Sequence, residues 1–137
     1  MDEIKNIGIL GIGGVGSLLS SRLSLTKHKL YCLGSKESNI HIKKNGIKLE
    51  SHLYGNSQIR PNSIQKVNTL DILFLTVKGP NLLSSLKSYK YLLNKNTVVI
   101  SLLNGMDYRK LISKNFNLKI IIGTIGSLEV FLNKNRV

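Results

Sequence analysis

The chain has 137 residues, 42% of them hydrophobic, with 20 Lys and Arg against 7 Asp and Glu, for a formal charge of +13. A chain of that length fits one domain able to bury roughly two thirds of its unfolded surface, and no apolar run reaches the ~20 residues that span a bilayer. The single cysteine, Cys32, excludes an intrachain disulfide and a cysteine metal cage, and reads as a small core residue inside Leu30-Tyr31-Cys32-Leu33.

The positive charge has two readings. Phosphate attraction to nucleic acid or membrane is one. The other is coding bias, since Lys, Asn and Ile abound and alanine is absent. The lysines are scattered, with no basic run beyond pairs such as Lys43-Lys44 and no interleaved aromatic residues. The expectation is therefore no nucleic-acid partner and no membrane partner, with a surplus that still favours a polyanionic ligand. Asp2 and Glu3 precede a strand almost at once, which leaves no room for a signal peptide and makes a cytoplasmic location the expectation.

Taken in chain order, the pattern alternates strand and helix. Asn6–Leu10 is the first predicted strand. The turn Gly11-Ile12-Gly13-Gly14-Val15-Gly16 follows, and Leu18, Leu19, Leu23 and Leu25 continue at helical spacing to about Ser24. A second strand over Lys29–Leu33 ends at Gly34-Ser35-Lys36. A short helix over Asn39–Lys44 stops at Asn45-Gly46, and Ile47–Glu50 with Ser57–Arg60 form a brief β excursion. Asp71–Val77 reads as an interior strand buried on both faces. Pro80 opens a helix over Asn81–Tyr89. Thr97–Leu103 is a further strand ending at Asn104-Gly105, Asp107–Ser113 a helix, Lys119–Thr124 a strand, and Glu129–Leu132 the start of one more. The fold class predicted is α/β: a Rossmann-like, doubly wound, mostly parallel sheet in a single domain.

Ligands of such sheets bind beyond the carboxyl ends of the strands. In a strand–G-x-G-x-x-G–helix context each glycine has a mechanical task. Gly11 permits the tight turn, Gly13 lets backbone approach a pyrophosphate, and Gly16 lets helix and strand pack closely. The backbone amides of Gly11, Ile12, Gly13, Gly14, Val15 and Gly16 and the helix dipole then suit two phosphates. The other strand ends offer Ser35 with Lys36, then Lys78, then Asn104. An acidic residue after the second strand would hydrogen-bond the ribose of NAD. Here Ser35 and Lys36 stand there instead, with Glu37 directed to solvent, which favours NADP (NADPH). Lys36 and Lys78 could equally be solvated surface lysines, and Asn104-Gly105 could be plain turn chemistry. His28, His41 and His52 lack metal-site spacing, and no catalytic triad or paired carboxylate is present.

These elements together resemble one family. The glycine turn, Lys29–Gly34, Asn45-Gly46-Ile47, Asp71-Ile72-Leu73-Phe74-Leu75-Thr76-Val77-Lys78 and Leu103-Asn104-Gly105-Met106 occur in the order of the N-terminal NADP-binding domain of ketopantoate reductase (2-dehydropantoate 2-reductase), over essentially the whole chain. The resemblance implies that the glycine turn binds the NADPH pyrophosphate. It implies that Lys78 and Asn104 contact the cofactor and that Asn104 also reaches the substrate. Asn81 falls where the family often has a glutamine near the cofactor, and Glu129 where it has a small residue near the nicotinamide. Ser35 stands where a basic residue usually holds the 2′-phosphate, with Lys36 beside it. It implies further that a helical C-terminal domain supplies a catalytic lysine and a substrate-binding glutamate, and this chain ends at Val137 without them. No catalytic residue is assigned here. The expectation is the cofactor-binding part of a truncated or split oxidoreductase of the pantothenate pathway. Its partners would be 2-dehydropantoate, if a C-terminal polypeptide completes it, or a second copy of itself through an exposed apolar face. The alternative is a stand-alone NAD(P)-binding regulatory module without catalysis.

Overall fold

The computed structural model describes residues 2–103 and 107–126, with the backbone alone at Asp107. The expected β1 (Asn6–Leu10), α1 (Gly14–Leu23) and β2 (Lys29–Leu33) form the first βαβ unit. Then come α2 (Lys36–Asn45), β3 (Ile47–Leu49), β4 (Ser57–Ile59), β5 (Ile72–Leu75), α3 (Leu82–Ser88), β6 (Val98–Ser101), α4 (Asp107–Asn115) and β7 (Lys119–Ile122). Five strands pair in the order β2-β1-β5-β6-β7, every pair parallel, while β3 and β4 make a separate antiparallel hairpin. The chain winds outward from β1 to β2, then crosses to the opposite side of β1 to place β5. That reversal is the switch point at which open α/β sheets receive ligands.

The main core lies on one face of the sheet. Leu10, Leu33, Leu73, Leu75 and Val99 point there and meet Leu82 and Leu86 of α3, Leu92, and Ile112 and Phe116 around α4. Each fully buried leucine contributes about 1.5–3 kcal/mol of transfer free energy. At its foot, buried Thr97 donates its hydroxyl to the Leu70 carbonyl at 2.8 Å and accepts from the Asn94 amide at 3.0 Å. β6 runs over Val98–Ser101, one residue shorter at its start and two at its end than its pattern predicts.

Three further elements differ from expectation. Helix α2 begins at Lys36 rather than Asn39 because Ser35 caps it, accepting from the Ser38 amide at 3.2 Å. On α1 the face turned to the sheet consists of Gly16, Ser17, Ser20 and Ser21, and Leu25 is 70% exposed. Small residues let the helix lie close, and the hydroxyls stay satisfied: Ser20 donates to the Gly16 carbonyl at 2.7 Å and Ser21 meets Ser57 at 2.8 Å. Strand β5 is buried on one face only. Leu73 and Leu75 are covered by helices, while Ile72 and Phe74 remain partly open among the described residues, as do Val98 and Ile100 beside them. Beyond β5, the predicted strand over Glu129–Leu132 lies outside the described residues.

Candidate functional site

The carboxyl end of β1 runs directly into the glycine turn. Gly11 has φ +102°, and a Cβ there would stand 2.5 Å from the Val77 amide nitrogen, so both conformation and space demand glycine. A Cβ on Gly16 would collide with the Gly11 carbonyl oxygen and stand 2.8 Å from Thr76 Oγ1. Thr76 explains the closeness: its hydroxyl donates to the Gly11 carbonyl at 2.6 Å and its amide donates to the Leu10 carbonyl at 2.9 Å. Strand, turn and helix are thereby locked around one carbonyl. Gly13 differs from both. Nothing lies within 4 Å of the place its Cβ would occupy, so its bareness serves no packing purpose inside the protein.

Helix α1 opens without a side-chain cap and without an acidic residue in its first turn. Its first backbone bond runs from the Ser17 amide to the Gly13 carbonyl at 2.9 Å. The amides of Gly14, Val15 and Gly16 therefore have no carbonyl four residues back to receive them, and the positive helix end is not neutralised locally. Such an end, backed by a bare glycine, is a receptor for an anion.

A cleft of about 1260 Å³ opens over this turn. Gly11, Ile12, Gly13, Gly14 and Val15 line it from α1's side, Ser35 and Lys36 from the end of β2, and Lys78 and Asn81 from the end of β5. Of the residues predicted for the site, these share one cleft; Gly16 lies buried directly beneath, and Asn104 and Glu129 lie outside the described residues. The charged side chains lining the cleft are Lys36, Lys43, Arg60 and Lys78, with no carboxylate among them, and Glu37 is exposed and absent from the lining. Ser35 has its hydroxyl engaged within α2, accepting from the Ser38 amide and donating to Ser38 Oγ at 3.1 Å. Cys32 also lines the cleft, where burial pushes its thiol up to about 11, only partly offset by the Ser20 hydroxyl at 3.4 Å. A thiol so protonated is inert.

Several lining residues lay beyond reach of sequence patterns. Asn62 brings the segment after β4 against the free edge of β2, its amide donating to the Leu30 carbonyl at 2.8 Å, and so carries Arg60 and Ile64 into the cleft wall. Tyr89 reaches back from the end of α3 to donate to the Gly34 carbonyl at 2.5 Å and accepts from Asn39 Nδ2 at 2.8 Å. Asn39 Oδ1 in turn accepts from the Gly34 amide at 2.9 Å. The cleft face of α2 emerges only once the helix is seen to begin at Lys36: Lys36, Asn39, Ile40 and Lys43 fall at helical i, i+3, i+4, i+7 spacing and all line the cleft.

Sheet order and glycine turn define a Rossmann-like domain whose ligand cleft sits at the switch point and is walled by cations. The chain belongs to the ketopantoate reductase PanE/ApbA family, whose model it matches over residues 7–136. It is 25% identical over 132 residues to the uncharacterized oxidoreductase YkpB of Bacillus subtilis (strain 168), covering 94% of this chain and 43% of that protein. The fold is shared with a PanE/ApbA family ketopantoate reductase from Ralstonia eutropha JMP134, at 21% identity and TM-score 0.74, with 85% of this chain and 40% of that one covered. It is shared equally with D-mandelate dehydrogenase, solved with NADH and anilino(oxo)acetate, at 23% identity and TM-score 0.76, covering 87% and 40%. The chain thus spans less than half the length of the relatives it matches. Among the described residues no helix is long and apolar enough to cross a membrane, and no cluster of His, Cys, Asp and Glu could hold a metal.

Proposed function

We propose that this chain is the cofactor-binding part of a 2-dehydropantoate 2-reductase and that the cofactor is NADPH. The observation that carries the reading is Gly13: a glycine with open space where its side chain would be, set at an uncapped helix start and facing a cleft with four cations and no acid. A pyrophosphate fits that arrangement, since the Gly14, Val15 and Gly16 amides supply donors and the helix end supplies positive potential. When bound, a nicotinamide cofactor supplies the hydride that reduces a keto carbon. The protein's share is positional. Gly11 and Gly16 fix the turn, Lys78 and Asn81 form the wall at the end of β5, and Ser35 with Lys36 bound the opposite end. Asn104 follows β6 in sequence, and the family resemblance assigns it to both cofactor and substrate.

Proton delivery to the developing alkoxide falls, on this reading, to the lysine that the family keeps in its helical domain, with a glutamate there holding the substrate. Activity then requires those residues, on a separate polypeptide or on a longer chain. The test is to combine the 137-residue chain with a helical domain of the family and follow NADPH oxidation by absorbance. Turnover that needs both parts and 2-dehydropantoate is expected. A combined protein that binds both ligands and still leaves NADPH unoxidised would overturn the assignment.

A further inference from the structure

We infer that selection for a phosphorylated adenosine ribose is made by Lys43 and Arg60 together with Lys36, that is, by the cleft face of α2 and the segment after β4 rather than by a side chain at the end of β2. The inference rests on the dinucleotide reading above and adds to it the residues that discriminate. The hydroxyl of Ser35 is engaged in capping α2, so Ser35 offers no charge and little free hydrogen-bonding capacity, and the nearest cation to the strand end is Lys36, the first residue of α2. Lys36 and Lys43 are seven residues apart on α2, two turns along one face, and both line the cleft.

Arg60 approaches the same helix from the side. Its Nη1 donates to the carbonyls of Lys43 at 3.3 Å and Lys44 at 3.1 Å, at the carboxyl end of α2. Those bonds hold the guanidinium in place before any anion arrives. They leave Nε and Nη2 without a partner among the described residues, and that pair of donors is the edge of the fork that grips a phosphate through two parallel bonds. No carboxylate lines the cleft to neutralise the three cations. A dianionic phosphate therefore has complementary charge here, whereas an unmodified ribose hydroxyl, being uncharged, gains much less from them.

The test is calorimetric titration of the full chain with 2′,5′-ADP and with 5′-AMP, which differ only by the phosphate in question. Unsubstituted protein should prefer 2′,5′-ADP, and Lys43→Ala should weaken that ligand about tenfold while moving 5′-AMP by less than about twofold. Arg60→Ala should do the same, and Arg60→Lys should fall between, because lysine keeps the charge and loses the fork. Lys110→Ala, at an exposed position of α4 outside the cleft lining, should change neither ligand. Arg60 also caps α2, so Lys43→Ala, which leaves every backbone bond in place, decides the matter if Arg60→Ala unfolds. Equal losses for both ligands, or no loss, would overturn the assignment. Binding of NADPH and NADH with equal affinity, untouched by these substitutions, would remove the selectivity residues and leave the dinucleotide reading standing. Failure of NADPH and NADH alike to bind would remove both.

Discussion

Replacing Gly13 and Gly16 by alanine should produce opposite kinds of damage, and the structure says why. A methyl group on Gly16 has nowhere to go: the Gly11 carbonyl oxygen occupies its place, with Thr76 Oγ1 at 2.8 Å and the Gly11 carbonyl carbon at 3.1 Å. Two of those atoms are backbone, pinned by the Thr76 hydroxyl at 2.6 Å, so α1 must move off the sheet to make room. Overpacking of this kind costs about 3 kcal/mol or more. For a domain of this size that lowers the melting temperature by roughly 10 °C. A methyl on Gly13 meets nothing within 4 Å, and its backbone at φ −88° is open to any residue. Exchanging glycine for alanine at a helix cap loses about 1 kcal/mol at most, offset in part by reduced freedom of the unfolded chain. Gly13→Ala should therefore melt within about 3 °C of the unsubstituted protein. Its methyl group projects to where the pyrophosphate is proposed to lie, so NADPH affinity should fall by about tenfold or more. Thermal melts followed by circular dichroism and NADPH fluorescence titrations on the same preparations read both quantities. Undiminished NADPH binding by Gly13→Ala would refute the reasoning about the cleft. A Gly16→Ala protein as stable as the original would refute the reasoning about the turn.

Other outcomes follow from the same structure. Tyr89→Phe removes the donor to the Gly34 carbonyl and the acceptor for Asn39, and should cost about 1–2 kcal/mol in urea unfolding while loosening α2 in hydrogen exchange. Thr97→Val leaves the Leu70 carbonyl and the Asn94 amide without their partner and should cost about 1–3 kcal/mol, read by the same denaturation. Burial raises the Cys32 thiol from 9.0 to about 11 in the folded state, so the folded protein keeps a proton that the unfolded chain releases. Stability should be full below pH 9 and decline between pH 9 and about 11, by up to ~2–3 kcal/mol. Burial pushes the Tyr31 hydroxyl in the same direction, so the part that belongs to Cys32 is the part that Cys32→Ala abolishes in melts across that range. Iodoacetamide should label Cys32 slowly in the native protein at pH 8 and rapidly in urea.

Much of the fold was written in local pattern. β1, the glycine turn and β2 were legible because an apolar run, a glycine-rich turn, leucines at helical spacing and a second apolar run follow one another in order. β5 was legible as a strand but not in its surroundings: Ile72 and Phe74 look as buried as Leu73 and Leu75 in sequence, and only the placement of helices separates them. The start of α2 was missed because Lys36, Glu37 and Ser38 carry no apolar signal, and the capping by Ser35 that starts the helix is a matter of geometry. Site residues at strand ends could be named in advance, since the sheet alone brings Ser35, Lys36 and Lys78 to one rim. Arg60 and Tyr89 could not. They reach the cleft through bonds between segments far apart in the chain, Asn62 to Leu30 and Tyr89 to Gly34, which no periodicity records.

Titration of the 137-residue chain with NADPH and NADH at low ionic strength decides whether this cleft is a cradle for NADPH. Saturable binding of NADPH below millimolar concentration is expected, tighter than NADH and weakening as salt screens the cationic walls. Absence of binding by either dinucleotide at millimolar concentration, in protein shown to be folded, would contradict that reading.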